Sequence, residues 1–332
     1  MNKFVIGITL GDPAGIGPEV FLKGYKEIKK VKSTVPLLIG DIEVIYENLG
    51  YLNMNFKLKE IKEKADIDEE YLNVYTLNII RNRNYPKKGD YKITGLASFE
   101  YVNKAVDLWK EKIIDGMVNL PISKKAWHIA GKNYPGHTEF LAEKFKTENY
   151  AMIMMAEKLR VLLITTHIPL KKVPEEICEK KIVEKTILGY KFLLSLGIKD
   201  PSIGVCALNP HSGEKGEIGK EEELIIEPAV KKLKEEGIKV KGPVPSDSIF
   251  REAMEKKYDL VIAMYHDQAL IPLKTLFFEK LVNITAGIKM VRTSPGHGTG
   301  FDIAYQNKAN PSAFIEAYKV ATKLLQKGKW NF

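Results

Sequence analysis

The sequence predicts an α/β protein built on a largely parallel sheet, and three observations carry that prediction. Short apolar runs alternate with amphipathic segments from end to end. Glycine and proline punctuate the places where a run stops. At 332 residues the chain has material for two lobes, since domains usually run to about 100–200 residues. Strand–helix alternation argues for helices returning the chain between parallel strands.

The elements follow in order. Phe4–Leu10 reads as a strand, and a glycine- and proline-rich turn leads into a helix near Pro18–Lys29. Pro18 suits the first helical turn, where its missing N–H leaves no bond unmade. Val35–Gly40 is the next strand and Ile42–Leu49 the next helix. A long helix is expected over Ala97–Ile114, with Gly116–Leu120 returning as a strand. Tyr150–Ala156 and Arg160–Thr165 read as two strands paired across Glu157-Lys158. Lys181–Leu196 is read as helix, Ser202–Ala207 as strand, Glu221–Glu236 as helix, Leu260–Met264 as strand and Pro311–Leu325 as the last helix. There is no internal repeat and no low-complexity linker.

Composition narrows the function classes. No apolar run approaches the roughly 18 residues of a membrane span. Met1–Leu10 is a short apolar strand without a small-residue cleavage site, so a signal peptide is not expected. Cys178 and Cys206 lie in apolar surroundings and are expected to be two buried thiols in a reducing cytoplasm. The +9 charge, from 51 Lys+Arg against 42 Asp+Glu, is spread over amphipathic stretches such as Lys57–Glu70 and Lys231–Lys241. Such mixing marks solvated helix faces and argues against a nucleic-acid partner. It also favours anionic substrates.

Five of the six histidines sit in turn-like segments beside glycine, proline or aspartate. His167, His211 and His266 each follow an apolar strand, in Thr166-His167-Ile168-Pro169, Asn209-Pro210-His211 and Tyr265-His266-Asp267-Gln268. His137 lies in Pro135-Gly136-His137-Thr138-Glu139 and His297 in Pro295-Gly296-His297-Gly298-Thr299. Carboxyl ends of strands border the ligand crevice in open α/β sheets. Three histidines at three such ends either converge on one divalent transition metal or serve separately as satisfied loop residues, and the sequence leaves both open. Gly11-Asp12-Pro13-Ala14-Gly15-Ile16-Gly17-Pro18-Glu19 lacks the G-x-G-x-x-G pattern, and its prolines remove phosphate-cradling donors. It reads as a tight strand-to-helix turn. Lys124, Lys274, Asn283 and Arg292 are the anion-competent groups, with Arg292 notable because arginine is scarce and this one follows an apolar stretch.

These landmarks occur together in one known family. Gly11–Glu19, Gly136–Ala142, Asn209-Pro210-His211, Gly242-Pro243 with Asp247, Tyr265–Gln268, Val282–Thr285 and Arg292-Thr293-Ser294 resemble the 4-hydroxythreonine-4-phosphate dehydrogenase family in order and spacing. The resemblance runs from residue 11 to the edge of the last helix. It implies a two-domain α/β/α fold similar to isocitrate and isopropylmalate dehydrogenases rather than a Rossmann fold. The lobes are expected at 1–125 plus 285–332 and at 126–284, with the active site in the cleft between them. It also implies a homodimer in which both subunits contribute to the site. A divalent metal (zinc, magnesium, cobalt or manganese) is expected on His167, His211 and His266. Substrate contacts are expected from His137, Thr138, Lys274, Asn283 and Arg292.

The segment His297–Ala304 resembles the adenosine-contacting loop of those dehydrogenases, which assigns His297, Gly298, Thr299 and Asp302 to NAD or NADP. Three departures stand out. Tyr305-Gln306-Asn307 replaces the usual Gly-Lys-Gly type turn, which leaves NAD against NADP open. Ser123 stands where asparagine is common, and Pro295-Gly296 stand where an acidic residue usually precedes the histidine. Loss of that acid suits a sugar acid without an amine, such as threonate or erythronate 4-phosphate. The implied reaction is oxidation of a secondary alcohol β to a carboxylate, then decarboxylation. Lys124, Asp247 and Asp267 are the candidates for the general base. A zinc hydrolase and a sugar-phosphate-binding protein are the competing classes.

Overall fold

The computed structural model describes residues 3–332. The chain divides into two compact units, the first being Met1–Lys146 with Met290–Gln326 and the second Thr147–Lys289 with Lys327–Phe332. Residues 126–146, which the sequence reading placed in the second lobe, thus pack with the first, and residues 285–289 with the second.

The first unit contains β1 (Phe4–Thr9), β2 (Thr34–Gly40), β3 (Leu58–Glu60), β4 (Leu72–Thr76), β5 (Gly116–Asn119) and, after the second unit, β12 (Val291–Pro295). Their order is β3-β4-β2-β1-β5-β12, and every neighbouring pair is parallel. All seven residues of β2 are buried, as expected where a sheet is covered on both faces. Helices α1 (Gly17–Lys29), α2 (Ile42–Leu52), α3 (Lys92–Lys110), α4 (Lys124–Ile129), α5 (His137–Lys144) and α11 (Ser312–Lys327) complete the unit. In α1, proline opens the first turn, Glu19 sits near the N-terminus and Lys26 and Lys29 near the C-terminus, all complementing the helix dipole. The strand order opens as a doubly wound sheet does, but β12 arrives only after the chain has built another unit. With no G-x-G-x-x-G turn after β1, the unit is not a Rossmann fold.

In the second unit the strands are β6 (Ala151–Ala156), β7 (Leu159–Leu163), β8 (Ile203–Cys206), β9 (Val240–Val244), β10 (Leu260–Ala263) and β11 (Val282–Ala286). Their order is β11-β6-β7-β10-β8-β9, with β6 antiparallel to both neighbours and the rest parallel. The β6–β7 hairpin turns at Glu157, whose φ of 51° lets the chain reverse in two residues. Helices α6 (Val173–Glu176), α7 (Glu179–Ser195), α8 (Glu227–Glu235), α9 (Ser246–Met254) and α10 (His266–Phe277) fill the connections. A π-helical turn, Glu222–Ile226, leads into α8. The core includes Val161, Leu163, Cys206, Ile249, Val261, Ala269 and Leu273.

Several expectations need correction. Lys57–Glu70 is not a helix face; it holds β3 and a single 3-10 turn, Lys64–Asp66. Lys231–Lys241 leaves α8 at Glu235 and ends inside β9. Cys178 is exposed just before α7, whereas Cys206 is buried as expected. His137 and His266 are not in turns but are the first residues of α5 and α10. No helix among the described residues is long and apolar enough to cross a membrane.

Candidate active site

In the first unit a buried polar group spans three adjacent strands, β12, β5 and β1. Arg292, on β12, is only 1% exposed. Its Nε donates to Asn119 Oδ1 on β5 at 2.7 Å, and Asn119 Nδ2 donates to Thr9 Oγ1 on β1 at 3.0 Å. Burial pulls the Arg292 guanidinium down to about 10, against the attraction of Glu139. The group is therefore a cation held in place before any ligand arrives.

His137 opens α5 with its ring 5.6 Å from that of Trp127, edge to face. Its Nε2 is buried and has no hydrogen-bond partner. Burial, then the charges of Arg292 and Lys124, hold the imidazole well below its usual range, so it is neutral. Thr138 beside it is buried, and Lys124 is exposed on α4 with Cε 3.4 Å from where a Cβ on Gly136 would stand. Gly136 gives α5 no side-chain cap, which leaves its first N–H groups available to an anion. Ser123 caps α4, accepting from Ala126 N–H at 3.1 Å and donating to Asp90.

The loop after β12 is held from below. Ile16 N–H donates to Thr299 O at 2.9 Å, and a Cβ on Gly15 would meet the same oxygen at 2.6 Å. A Cβ on Gly17 would lie 2.4 Å from Leu10 O. The glycines of the Gly11–Glu19 segment thus serve close backbone approach, as expected of a tight turn. His297 is half-buried, with Nδ1 3.0 Å from Gly298 O and a buried, unpartnered Nε2; burial lowers its pKa, and only the Gly298 carbonyl opposes the shift. Asp302 is exposed. Tyr305 adopts a φ of 54°, and its hydroxyl reaches Pro13 O at 3.0 Å and Tyr85 Oη at 2.5 Å.

Asp12 and Asn119 were not singled out from sequence. Asp12 is buried; its Oδ1 accepts from Ala14 N–H at 2.9 Å, and burial raises its pKa to about 6. The signal for Asn119 was a polar residue ending the apolar Gly116–Leu120 strand.

The second unit carries the histidine group. His167, beyond β7, and His266, beyond β10, have ring centroids 5.6 Å apart with planes tilted by 43°. Asp267 Oδ1 lies 2.6 Å from His266 Nδ1, a contact that orients the ring. The two rings line a pocket of about 250 Å³ with Thr166, Val173 and Tyr265. His211 lies past β8 in a run, His211–Lys215, of left-handed backbone. Among the described residues no three His, Cys, Asp or Glu side chains are close enough to hold a metal. Two imidazoles with an oriented ring therefore fit a divalent ion as part of a ligand set, not as the whole of it.

Lys274 is exposed on α10 and Asp247 exposed on α9. Asn283, on β11, has a buried Oδ1 without a partner. The structure thus groups His137, Thr138, Lys124 and Arg292 in one unit and His167 with His266 in the other. It does not bring His211 into a three-residue cluster.

The comparisons with known proteins agree with one another. The profile of the family described as pyridoxal phosphate biosynthetic protein PdxA matches residues 32–321. A Sulfurihydrogenibium sp. (strain YO3AOP1) protein named 4-hydroxythreonine-4-phosphate dehydrogenase is 42% identical over 320 residues, which is 96% of this chain and 98% of that protein. A Clostridium botulinum (strain Langeland) protein provisionally named D-threonate 4-phosphate dehydrogenase is 37% identical over 331 residues, 99% of each. The crystal structure of 4-hydroxythreonine-4-phosphate dehydrogenase from Klebsiella pneumoniae superposes with a TM-score of 0.84 at 34% identity, covering 97% of this chain and 99% of that one.

Proposed function

The chain belongs to the PdxA family of pyridoxal phosphate biosynthetic proteins, and from that premise we propose that it is a metal-dependent NAD- or NADP-linked dehydrogenase of 4-phosphorylated 3-hydroxy acids. The substrate we assign first is 4-hydroxythreonine 4-phosphate. One observation supports the reading most: a fully buried arginine beside a neutral histidine, at an uncapped helix start, is equipped for a phosphate or carboxylate before it binds.

The reaction needs five things from this chain. Arg292, Thr138 and the α5 N-terminus hold an anionic end, so binding energy positions the reacting carbon; Lys274 and Asn283 are proposed as further substrate contacts. His137, neutral, accepts or donates at Nε2 without adding charge. His297, Gly298, Thr299 and Asp302 would hold the NAD or NADP, which would supply the hydride acceptor for the C3 hydrogen. The hydroxyl proton goes to a base, and the carboxylate departs as carbon dioxide with its bonding electrons left on C2. For that base the candidates are Lys124, Asp247 and Asp267, of which Asp267 is engaged with His266 Nδ1. His167, His211 and His266 would hold a divalent ion (zinc, magnesium, cobalt or manganese), which would supply Lewis-acid polarisation of the substrate oxygen.

The incomplete histidine set supports a homodimer that completes its site with a second copy. Leu170, Ile271 and Phe278, each more than 60% exposed on the second unit, are apolar surface suited to that copy. A second reading, D-threonate or D-erythronate 4-phosphate as substrate, is favoured by Pro295 and Gly296. They bring no carboxylate to the two positions before His297.

The test is reduction of NAD+ and NADP+ by the purified chain, with added divalent metal, over a panel of 4-phosphorylated hydroxy acids. Turnover on 4-hydroxythreonine 4-phosphate above the sugar acids supports the first assignment, and the reverse order the second. No turnover on any member rejects the dehydrogenase.

A further inference from the structure

Beyond the histidines themselves, the second unit contains a set of buried and part-buried hydrogen bonds at all three strand ends. Gln268 is two residues past His266 and 6% exposed. Its Oε1 accepts from Met264 N–H at 2.6 Å, and its Nε2 donates to Ala207 O at 2.8 Å and to Ser246 Oγ at 2.7 Å. Both amide hydrogens and the carbonyl are thereby used, so the amide has a single favourable orientation. The Ser246 hydroxyl donates to the same Ala207 oxygen at 3.2 Å.

The set continues on both sides. Met264 O accepts from Thr165 Oγ1 at 2.7 Å and from Thr165 N–H at 3.2 Å. On the other side Glu222, 3% exposed and first in the π-helical turn, accepts from Leu208 N–H at 2.8 Å, Asn209 N–H at 2.7 Å and Asn209 Nδ2 at 2.9 Å. A π-turn at such a place is a common mark of a functional site. The braced residues Thr165, Asn209 and Met264 each stand two positions before a histidine: His167, His211 and His266.

We propose that Gln268, assisted by Glu222, is a positioning residue that fixes the histidine-bearing strand ends relative to one another, and so sets metal affinity without touching metal or substrate. The inference rests on the metal site proposed above. Its physical basis is that ligand geometry is held by the groups that order the ligands, whose loss commonly weakens metal binding by about 10- to 100-fold. Sequence alone offered no reason to separate Gln268 from its neighbours, because a glutamine in a turn-like segment is usually a solvated residue.

The experiment uses the full-length chain and cobalt(II) or zinc(II) as the probe. Gln268→Met keeps the volume and removes all three hydrogen bonds. The expected result is roughly 10- to 100-fold weaker metal binding by chelator competition and an altered visible spectrum of the cobalt form. Cooperative unfolding of the metal-free protein is retained. A lowered melting temperature with metal affinity and spectrum unchanged overturns the proposal, since Gln268 would then be a structural brace only. If Gln268→Met does not fold, Gln268→Glu decides: it keeps the acceptor for Met264 N–H but loses the donor to Ala207, and parental affinity in that variant overturns the proposal. A parent chain that takes up no metal overturns the metal reading and this inference with it.

Discussion

The two groups of functional residues differ in how far the fold finishes them. In the first unit, Arg292, Asn119 and Thr9 form a buried hydrogen-bonded row, and burial lowers the pKa of both Arg292 and His137, leaving the first cationic and the second neutral. In the second unit, His167 and His211 are exposed, and no three-ligand cluster exists among the described residues. Under the proposed function, recognition of an anion is built into the folded chain, while the histidine group is completed by the metal it would bind. The cost of holding Arg292 out of water is met by folding. His167 and His211, being exposed, carry no such cost.

That contrast can be broken or sharpened by substitution. The largest effect is expected from His266→Ala, which removes a proposed metal ligand: turnover falls by about four orders of magnitude, roughly 5.5 kcal/mol. The metal-free protein should melt within about 0.5 kcal/mol of the parent, as for other partly exposed side chains. A large stability loss would show that the histidine group is part of the fold after all. Arg292→Ala comes next. It removes a buried cation and strands Asn119 Oδ1, so kcat/KM should drop about 10³-fold, roughly 4 kcal/mol, and here stability should fall as well. Arg292→Lys should recover little, because a point charge does not replace the planar fork.

A third prediction reads the first unit through pH. Asp12 has its folded pKa raised from 3.8 to about 6 by burial. Between those values the folded chain holds a proton that the unfolded chain has released. The stability from Asp12 is therefore complete below about pH 3.8 and is lost as pH rises through about 6. Asp12→Asn should stabilise the protein at pH 8 by about 2–3 kcal/mol and flatten the profile between about pH 4 and 6. Denaturation curves across that range decide it, and an unchanged profile would mean that Asp12 is better solvated than its burial implies. The smallest effect is reserved for Gly296→Asp, which should shift the ratio of catalytic efficiencies several-fold toward the amine-bearing substrate, because an ammonium gains a partner. An unchanged ratio would show that position 296 does not read the amine.

Much of this was legible before the fold was known, and the exceptions have physical causes. Period and punctuation identified β1, β2, β6 and β7 because their apolar runs are buried and bounded by turns. Edge strand β3, with Lys59 and Glu60, carries too little apolar surface to announce itself. Helix α10 was hidden by Pro272 within it and by a histidine-aspartate start that looks like a turn. Candidate residues with charge or imidazole chemistry were visible from type and context. Asp12, Asn119, Glu222 and Gln268 were not, because their roles depend on what lies across the sheet from them. A neutral amide acquires meaning only from the strand ends it joins.

The most direct measurement strips the chain of divalent metal and follows two quantities on the same sample: calorimetric binding of 4-hydroxythreonine 4-phosphate, and formation of NADH or NADPH from it. The account predicts that the phosphorylated acid still binds, through the Arg292 and His137 group, while nicotinamide reduction is at background until zinc, magnesium, cobalt or manganese is restored. Full nicotinamide reduction by the stripped protein, or loss of all substrate binding with the metal, would contradict it.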